Sequence, residues 1–511
     1  MSIPRPASFH ARGRIPVLTA DEMRAWDRRA IDRTGVPERV LMESAGRAAA
    51  SIIHHLHPAG RVLVACGSGN NGGDGLVAAR TLRAWGREVR ALAAGSRPPD
   101  AALAHGWEVE TVEIGMMESA VAAADVLVDA LLGTGSTGAP RDPYDRVIRA
   151  MNGAGRPIVA LDGPSGIDFT TGAAAAEVVR ADLTVTFGAP KRGLLLFPGR
   201  AQAGRIVCVE IGFDPLEELA AELVTGEWAA AHLPPAAPNA HKGQLGRVVI
   251  VAGRAGMAGA SVLAGMGALR AGAGMAVLVA PEANRAIIQT SIPEALYEDR
   301  ASVDAEVFTK ADAIVAGPGM GTDGDALALL RNIASAADCP LLFDADATTL
   351  LANHPDLRDD IHQPLLLTPH PGEASRLLGK SARDITADPF AAANDLAEKF
   401  GCAVLLKGAP SLVASAGQPT LVSVGGHSGI ATGGMGDTLS GVTGAFLALC
   451  GNPRIAAGLG LWYCGRAAEI AGRGRGLIPR DVSDAVPDAL LERTEEIQLG
   501  GAVTLDLHAA Y

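Results

Sequence analysis

A run of glycines followed by an aspartate is the part of this sequence with the clearest chemical meaning. Gly433, Gly434 and Gly436 leave the backbone with little side-chain bulk. Asp437 follows, directly before an apolar stretch at residues 438–449 that predicts a buried helix. Amide N–H groups at a helix N-terminus have no partner inside the helix and bind anions. Because a carboxylate beside them can take a proton from a hydroxyl, the segment predicts phosphoryl transfer to an alcohol.

Further polar motifs in the second half of the chain each follow an apolar run of strand type. They are the glycine-rich turn 317–321, Asp344 with Asp346, the segment 368–373 with His370 and Glu373, and the segment 407–411 that begins with Lys407. Each has a plain structural alternative, such as a turn, a polar loop residue or a first-turn helix residue. The two aspartates suit magnesium, a ribose hydroxyl or helix capping, and the lysine could reach a phosphate.

The elements that must position these motifs predict an α/β fold. Strands are predicted at residues 61–66, 89–94, 126–129, 158–162, 183–187, 206–209, 248–252, 275–280, 313–316, 341–344, 365–367 and 404–407. Helices are predicted at 21–33, 41–54, 76–85 and 259–270. In open α/β sheets, the loops at the strand C-termini form the ligand crevice. The polar motifs stand in such loops.

A proline-rich connection at residues 233–239 interrupts the α/β pattern, because proline does not continue a helix or a central strand. We therefore predict two domains, residues 1–225 and residues 226–511, each with a mainly parallel sheet. The segment from Glu495 onward allows two interpretations, an ordered strand or a frayed terminus.

A second glycine-rich segment, residues 67–75, ends the first predicted strand and includes Asn70, Asn71 and Asp74. The structural alternative is a tight strand-to-helix turn, which needs far fewer glycines. The number of glycines therefore favours a binding site. Asparagine and aspartate oxygens suit a hard cation, and the amides suit a pyrophosphate. Further motifs follow later strands, at residues 129–135, 161–166 and 187–191.

Composition narrows the class of protein. The chain has 511 residues, of which 48% are hydrophobic and 20% charged, enough apolar residues for large cores. The net charge of −12 and the absence of a long basic run argue against nucleic acid as a partner. Six cysteines without a CxxC pair argue against a zinc site. No apolar run approaches the roughly 20 residues of a membrane span, so we expect a cytoplasmic protein without a membrane partner.

Taken together, the second-half motifs resemble the ADP-dependent NAD(P)H-hydrate dehydratase branch of the ribokinase-like superfamily, over residues 235–490. The resemblance implies that ADP or ATP, with Mg²⁺, phosphorylates the ring hydroxyl of NADHX or NADPHX, the hydrated reduced cofactors. Phosphate then leaves and the double bond returns. Asp437 would be the catalytic base, and Gly434 and Gly436 would lie in the anion hole. Met435 stands where the family motif has serine, and we expect its side chain to point away from the anion.

The same resemblance implies two sets of binding residues. Those for the hydrate are Ala260, Gly319, His370 and Asp437. Those for the nucleotide are Lys407, Gly408, Ala409, Pro410, Ser411 and Gly436.

The first-half motifs resemble the NAD(P)HX epimerase family, whose domain is Rossmann-like, over residues 15–225. The resemblance implies interconversion of the two epimers of the hydrate, with Asp162 as acid/base. Lys191 is a further acid/base candidate, for which a surface position beside a turn is the alternative. Implied potassium ligands are Asn71, Asp129 and Ser165. Implied hydrate contacts are Asn70, Asn71, Gly72, Gly73, Asp74, Gly133, Thr134, Gly135, Ser136, Thr137, Gly138, Ala139 and Asp162.

The sequence thus predicts a bifunctional repair enzyme that binds small molecules and forms a homo-oligomer. Two alternatives stay open. The second domain could be a kinase for another small alcohol, and the first could be a binding module without catalysis, because a fold alone does not settle function.

Overall fold

A computed structural model describes residues 14–95, 103–235, 237–492 and 503–507. Contacts divide the chain into two compact units: one holds the residues up to Ala220 and the last described strand, and the other begins at Ala221. Each unit is an α/β structure with a mainly parallel sheet, so the predicted fold class is confirmed. None of the helices in the described ranges combines the length and the hydropathy of a membrane-spanning segment.

The first unit has an eight-stranded sheet. Its strands are β1 (Val62–Cys66), β2 (Val89–Ala93), β3 (Glu110–Val112), β4 (Val126–Ala130), β5 (Ile158–Leu161), β6 (Leu183–Phe187), β7 (Arg205–Val209) and β18 (Val503–Leu507). Its helices are α1 (Ala20–Asp32), α2 (Glu38–Leu56), α3 (Asn70–Ala84), α4 (Met117–Ala123), α5 (Tyr144–Gly153), α6 (Arg192–Leu195) and α7 (Gly199–Gln202). The strand order β3-β2-β1-β4-β5-β6-β7 is that of a Rossmann-type fold, with the reversal point between β1 and β4.

The second unit has a ten-stranded sheet. Its strands are β8 (Ala221–Leu223), β9 (Arg247–Val251), β10 (Met275–Ala280), β11 (Leu296–Asp299), β12 (Ala313–Ala316), β13 (Leu341–Phe343), β14 (Leu365–Leu367), β15 (Ala403–Leu406), β16 (Ser411–Ala414) and β17 (Thr420–Ser423). Its helices are α8 (Gly226–His232), α9 (Ala258–Arg270), α10 (Arg285–Ser291), α11 (Ala305–Thr309), α12 (Gly324–Ala336), α13 (Ala345–Asn353), α14 (Pro371–Leu378), α15 (Ala382–Ala387), α16 (Pro389–Phe400), α17 (Met435–Cys450), α18 (Pro453–Ala471) and α19 (Pro479–Leu491).

Strand order in the second sheet is β11-β10-β9-β12-β13-β14-β15-β16-β17-β8. The strands from β11 to β15 are parallel, and β16 pairs antiparallel with both of its neighbours. Apart from the partly buried Arg247 at the start of β9, the central strands β9 and β12 are apolar and buried, as expected for a parallel sheet covered on both faces. The order reverses between β9 and β12, so a ligand crevice is expected at their C-terminal ends.

Helix α17 is fixed by unusually close packing against α9. A Cβ atom at Gly441 would lie 1.9 Å from the carbonyl oxygen of Ala264, and one at Gly267 would lie 2.6 Å from that of Thr438. Only glycine permits this approach. The N-terminus of α17, where Asp437 lies, is therefore held firmly against the rest of the unit.

The unit boundaries differ from the predicted ranges 1–225 and 226–511 in two places. Strand β8 precedes residue 225 but pairs with β17 of the second sheet. The C-terminal strand β18 pairs antiparallel with β7 of the first sheet, so the strand interpretation of the tail applies to its described part. Both strands lie at a sheet edge. Because β18 belongs to the first sheet, the first unit combines the first part of the chain with a strand from its last residues.

Both site helices begin earlier than predicted. Helix α3 starts at Asn70 and not at Leu76, so most of the glycine-rich segment is helical. A Cβ atom at Gly72 would lie 2.0 Å from the carbonyl oxygen of Gly67, which explains why the first turn needs glycine there. Helix α17 likewise starts at Met435, three residues before the predicted position.

Candidate active sites

A cavity of about 470 Å³ lies in the second unit, at the C-terminal ends of β9, β12 and β13. It therefore lies at the reversal point of the sheet, where α/β folds bind ligands. The lining residues are Arg254, Met257, Ala260, Gly319, Gly321, Thr322, Ala345, Asp346 and Asp437. Three of the four predicted hydrate contacts, Ala260, Gly319 and Asp437, are thus brought together.

Asp437 lies in the first turn of α17, which begins after Gly434 in a left-handed conformation with φ of +85°. Burial raises the pKa of Asp437 to about 7, the negative charge of Asp344 adds to the rise, and Lys407 opposes it. A carboxyl group with such a pKa can accept a proton near neutral pH. Asp437 also lies beside the first amides of a helix, groups that can bind an anion.

Lys407 reaches this turn from the end of β15. Its ammonium group donates to Oδ1 of Asp344 over 2.6 Å. A Cβ atom at Gly436 would lie 3.6 Å from the lysine Nζ. The positively charged Lys407 therefore lies beside the glycine turn that is predicted to bind phosphate.

Asp344 and Asp346 have different roles, and neither side chain caps α13. Asp344 is the N-cap residue by position, but its side chain makes no capping hydrogen bond, so the capping interpretation is wrong for it. Asp346 accepts a hydrogen bond of 2.9 Å from the amide of Gly321 and so joins two loops that line the cavity. Between the two aspartates, Ala345 has a φ of +45°, a strained conformation of the kind that clusters at functional sites.

The predicted nucleotide segment 407–411 forms a tight turn between β15 and β16. The hydroxyl of Ser411 donates to the carbonyl oxygen of Gly408 over 2.9 Å. The amide of Lys407 donates to the carbonyl oxygen of Pro369 over 2.9 Å, which brings the turn next to the segment with His370.

His370 is not among the residues that line the cavity. It caps α14: its Nδ1 accepts from the amide of Gly372 over 3.0 Å, and its own amide donates to Glu373 over 2.9 Å. The imidazole is 54% exposed, so it is available to a ligand larger than the cavity itself.

The side chain of Met435 points into the hydrophobic core and is only 8% exposed. It is not among the residues that line the cavity, in agreement with the expectation that it leaves the predicted anion site to the backbone.

In the first unit, the ends of β1, β4 and β5 bring a second polar site together. The amide group of Asn71 donates to the carbonyl oxygens of Leu132 and Leu161, over 3.0 and 3.1 Å. A Cβ atom at Gly133 would lie 3.2 Å from Cβ of Asn71 and 3.4 Å from Oδ2 of Asp162. These three predicted site residues meet at the reversal point of the sheet.

Asp162 is held by an ion pair with Lys191 and by a second strained backbone position. Its φ is +64°, rare for a residue other than glycine. Lys191 is 1% exposed, and besides Asp162 its ammonium contacts Oγ1 of Thr186 and the carbonyl oxygen of Phe187. The interpretation of Lys191 as a surface residue is therefore wrong. The amide of Thr134 donates to the same carboxylate over 3.3 Å, which links Asp162 to the predicted loop 133–139.

Asp129 and Ser165, two predicted potassium ligands, are fully buried and bonded to each other. Asp129 accepts from the hydroxyl of Ser165 over 2.7 Å and from its amide over 2.8 Å. Burial raises the pKa of Asp129 to about 6, although the hydrogen bonds from Ser165 lower it. Among the described residues, Oδ1 of Asn71 is buried without a hydrogen-bond partner.

Residues of α1 and α2 complete this site and were missed from the sequence. Asn70 donates to the carboxylate of Glu38 over 2.6 Å. Burial raises the pKa of Asp74 well above its ordinary value, and the charges of Asp162 and Asp27 add to the rise. Asp27 lies on the predicted helix 21–33, and Glu38 lies just before the predicted helix 41–54, so acidic residues ahead of the glycine segment were the overlooked signal. The rest of the predicted loop, Gly135 to Ala139, lies mostly at the surface after β4.

Two α/β units, each with a polar site at the reversal point of its sheet, define the chain as a two-site α/β enzyme. Comparison with known proteins agrees with this division. Residues 248–488 match a family model described as NAD(P)H-hydrate dehydratase, and residues 38–193 match one described as YjeF-related protein N-terminus.

Curated relatives match almost the whole chain. It is 39% identical to the bifunctional NAD(P)H-hydrate repair enzyme Nnr of Escherichia coli strain K12, over 89% of each chain. It is 38% identical to the protein of the same name from Coxiella burnetii, over 90% of this chain and 96% of that one. The chain belongs to the family of bifunctional NAD(P)H-hydrate repair enzymes. It is also similar to the ADP/ATP-dependent NAD(P)H-hydrate dehydratase from Bacillus subtilis, at 27% identity and a TM-score of 0.46, over 53% of this chain and 97% of that one.

Proposed function

We propose that this chain repairs NADH and NADPH that have taken up water at the nicotinamide ring. The first unit interconverts the R and S epimers of the hydrate, and the second unit returns the S epimer to the reduced cofactor at the expense of ADP or ATP. The observation that carries the proposal is the position of Asp437. It lies in the first turn of α17 and lines the same cavity as Ala260 and Gly319.

In the second unit, Asp437 accepts the proton of the ring hydroxyl while that oxygen attacks the terminal phosphorus of the nucleotide. The bond between this phosphorus and the leaving nucleotide breaks, so ADP becomes AMP. The phosphorylated ring then loses phosphate from the hydroxyl-bearing carbon and a proton from the neighbouring carbon, and the double bond re-forms. Phosphate is a far better leaving group than hydroxide, which is why a nucleotide is needed.

Several groups support binding around this reaction. The amides of Gly434 and Gly436 would stabilise the negative charge on the transferred phosphoryl group, together with the ammonium of Lys407, which lies beside Gly436. The turn 408–411 would hold the nucleotide, and the exposed imidazole of His370 would contact the hydrate. Mg²⁺ that accompanies the nucleotide would neutralise phosphate charge.

In the first unit, interconversion of the epimers requires that a bond at the hydroxyl-bearing carbon break and re-form on the other face. This needs a group that accepts and returns a proton. Asp162 is the candidate, because it lies beside Gly133 and Thr134 at the reversal point of the sheet. Lys191 holds the carboxylate in place from the buried side.

The residues predicted to bind potassium fit a monovalent cation. Oδ1 of Asn71 is a buried oxygen without a partner in the described chain, and Asp129 is a buried carboxylate with no ion pair there. Ser165 would add a hydroxyl oxygen. Potassium would supply positive charge beside Asn71, which contacts the loops that bind the hydrate. The hydrate contacts of this unit would be the residues 70–74 and 133–139 with Asp162.

The proposal is tested with a mixture of NADHX epimers, ADP and Mg²⁺, by following the absorbance of the reduced nicotinamide ring. The wild-type protein should restore NADH from the whole mixture. Asp437→Asn should slow recovery about 10²- to 10⁴-fold, whereas Asp304→Asn, a change at the exposed N-cap of α11, should leave it unchanged. No recovery by the wild type would contradict the proposal. Accumulation of a stable phosphorylated product would instead indicate a small-alcohol kinase. The cytoplasmic location and the homo-oligomeric state stay predictions.

A further inference from the structure

Asp344 is a buried carboxylate whose two oxygens bind two different elements of the second unit. The residue is 1% exposed and lies directly after β13. Oδ1 accepts from Nζ of Lys407 over 2.6 Å, and Oδ2 accepts from the hydroxyl of Ser440 over 2.7 Å. Its partners are 63 and 96 residues away in sequence, so the contact depends on the fold.

Both partners belong to the phosphoryl-transfer site. Lys407 stands beside Gly436, and Ser440 lies three residues after Asp437, on the next turn of α17. Residues three apart in a helix share a face. Asp344 therefore joins the strand end that carries the lysine to the helix turn that carries the base.

The charges around this carboxylate are unbalanced. Asp344 and Asp346 at the start of α13 act on Asp437, together with Lys407 from β15. Asp344, Glu373 of α14 and Asp437 in turn act on Lys407. One ammonium thus faces several carboxylates. Loss of Asp344 would remove the group that binds this ammonium directly.

We propose that Asp344 is a positioning residue for phosphoryl transfer. It holds the ammonium of Lys407 against the first turn of α17, where the phosphate is transferred, and it holds that turn in register through Ser440. The inference rests on the proposed function of the second unit. Because both of its oxygens are already bonded to protein groups and the residue is buried, Asp344 acts through these neighbours and not by contact with the substrate.

The main test is Asp344→Asn, with Asp304→Asn as the matched control. Asparagine keeps the size and one acceptor but loses the charge that binds Lys407. Titration calorimetry with ADP and Mg²⁺ measures nucleotide binding without turnover. We expect the Kd to rise about 10- to 100-fold, the typical worth of a hydrogen bond to a charged group, whereas the control should bind as the wild type does.

The pH profile of dehydration provides a readout that a purely structural role would not move. Asp344 raises the pKa of Asp437, so its removal should shift the acid limb of the profile to lower pH. Burial lowers the pKa of Lys407, but Asp344, Glu373 and Asp437 outweigh burial and raise this pKa above its ordinary value, so without Asp344 the alkaline limb should also move to lower pH. Both limbs should therefore shift in the same direction in Asp344→Asn.

Ser440→Ala tests the second contact. It removes the bond to Oδ2 and leaves the ion pair, so kcat should fall about 10- to 100-fold, as for the loss of a hydrogen bond to a charged group, with Kd for ADP unchanged. If Asp344→Asn does not fold, a wild-type kcat in Ser440→Ala overturns the proposal. An Asp344→Asn protein that binds ADP normally and keeps its pH profile also overturns it. A wild-type protein that binds ADP but restores no NADH would instead refute the proposed function.

Discussion

The pH dependence of dehydration tests the assignment of Asp437 as the base. The carboxylate must be ionised to accept the hydroxyl proton, so the rate should fall as the pH drops through its pKa. Burial and the nearby Asp344 raise that pKa from 3.8 to about 7. At pH 6, a carboxyl group with a pKa of about 7 is roughly 10% ionised, whereas one of ordinary pKa is about 99% ionised.

The rate should therefore fall about tenfold for each pH unit below 7. The assay follows NADH formation from the S epimer between pH 5 and 9 and reports kcat/KM, which reflects the free enzyme. Asp437→Asn should lower the rate about 10²- to 10⁴-fold, the usual contribution of a general base, and should remove the acid limb from whatever activity is left. Asp304→Asn should reproduce the wild-type profile.

A wild-type rate that stays constant between pH 5 and 7 would exclude Asp437 with its raised pKa as the base, because no group with a raised pKa would then control the reaction. An Asp437→Asn protein with wild-type rate would exclude this residue as the base.

Three further substitutions test other parts of the structure. Lys191→Met leaves the carboxylate of Asp162 buried without its ammonium, so epimerisation should be lost and the first unit destabilised by about 3–5 kcal/mol; denaturant unfolding at wild-type stability would contradict the ion pair. Gly434→Ala imposes a φ of +85° on alanine, which should cost about 1–2 kcal/mol and weaken ADP binding in calorimetry. Asp506→Asn weakens the pair with Arg205 that fixes β18 to β7. It should destabilise the first unit by about 1–3 kcal/mol while S-epimer dehydration keeps its rate.

Most of the central strands of both sheets could be predicted from the sequence, because each is a continuous apolar run that ends in a polar turn. The edge strands β8 and β18 could not, because a strand of three to five residues there is defined by its pairing partner and not by its own pattern. The start of α3 was placed too late, since glycine has a low helix propensity. Here close packing against Gly67 outweighs that propensity.

The functional residues likewise divide into those that could be predicted from the sequence and those that could not. Asp437 and Asp162 were predicted because each stands beside a dense glycine or proline motif. The interaction of Asp344 with Lys407 and Ser440 could not be predicted, because residues 63 and 96 positions apart meet only in the folded unit. Arg254, which also lines the cavity, lies in the loop after β9. The rule that such loops form the crevice would have indicated it.

Separate assays of the two epimers show whether the chain carries both activities and whether Asp162 and Asp437 perform them. R-NADHX and S-NADHX are incubated apart with ADP, Mg²⁺ and either the wild type, Asp162→Ala or Asp437→Asn, and NADH formation is followed. The wild type should restore NADH rapidly from both epimers, Asp162→Ala rapidly from S alone, and Asp437→Asn rapidly from neither. Rapid recovery of NADH from the R epimer by Asp162→Ala, or from the S epimer by Asp437→Asn, would contradict these assignments.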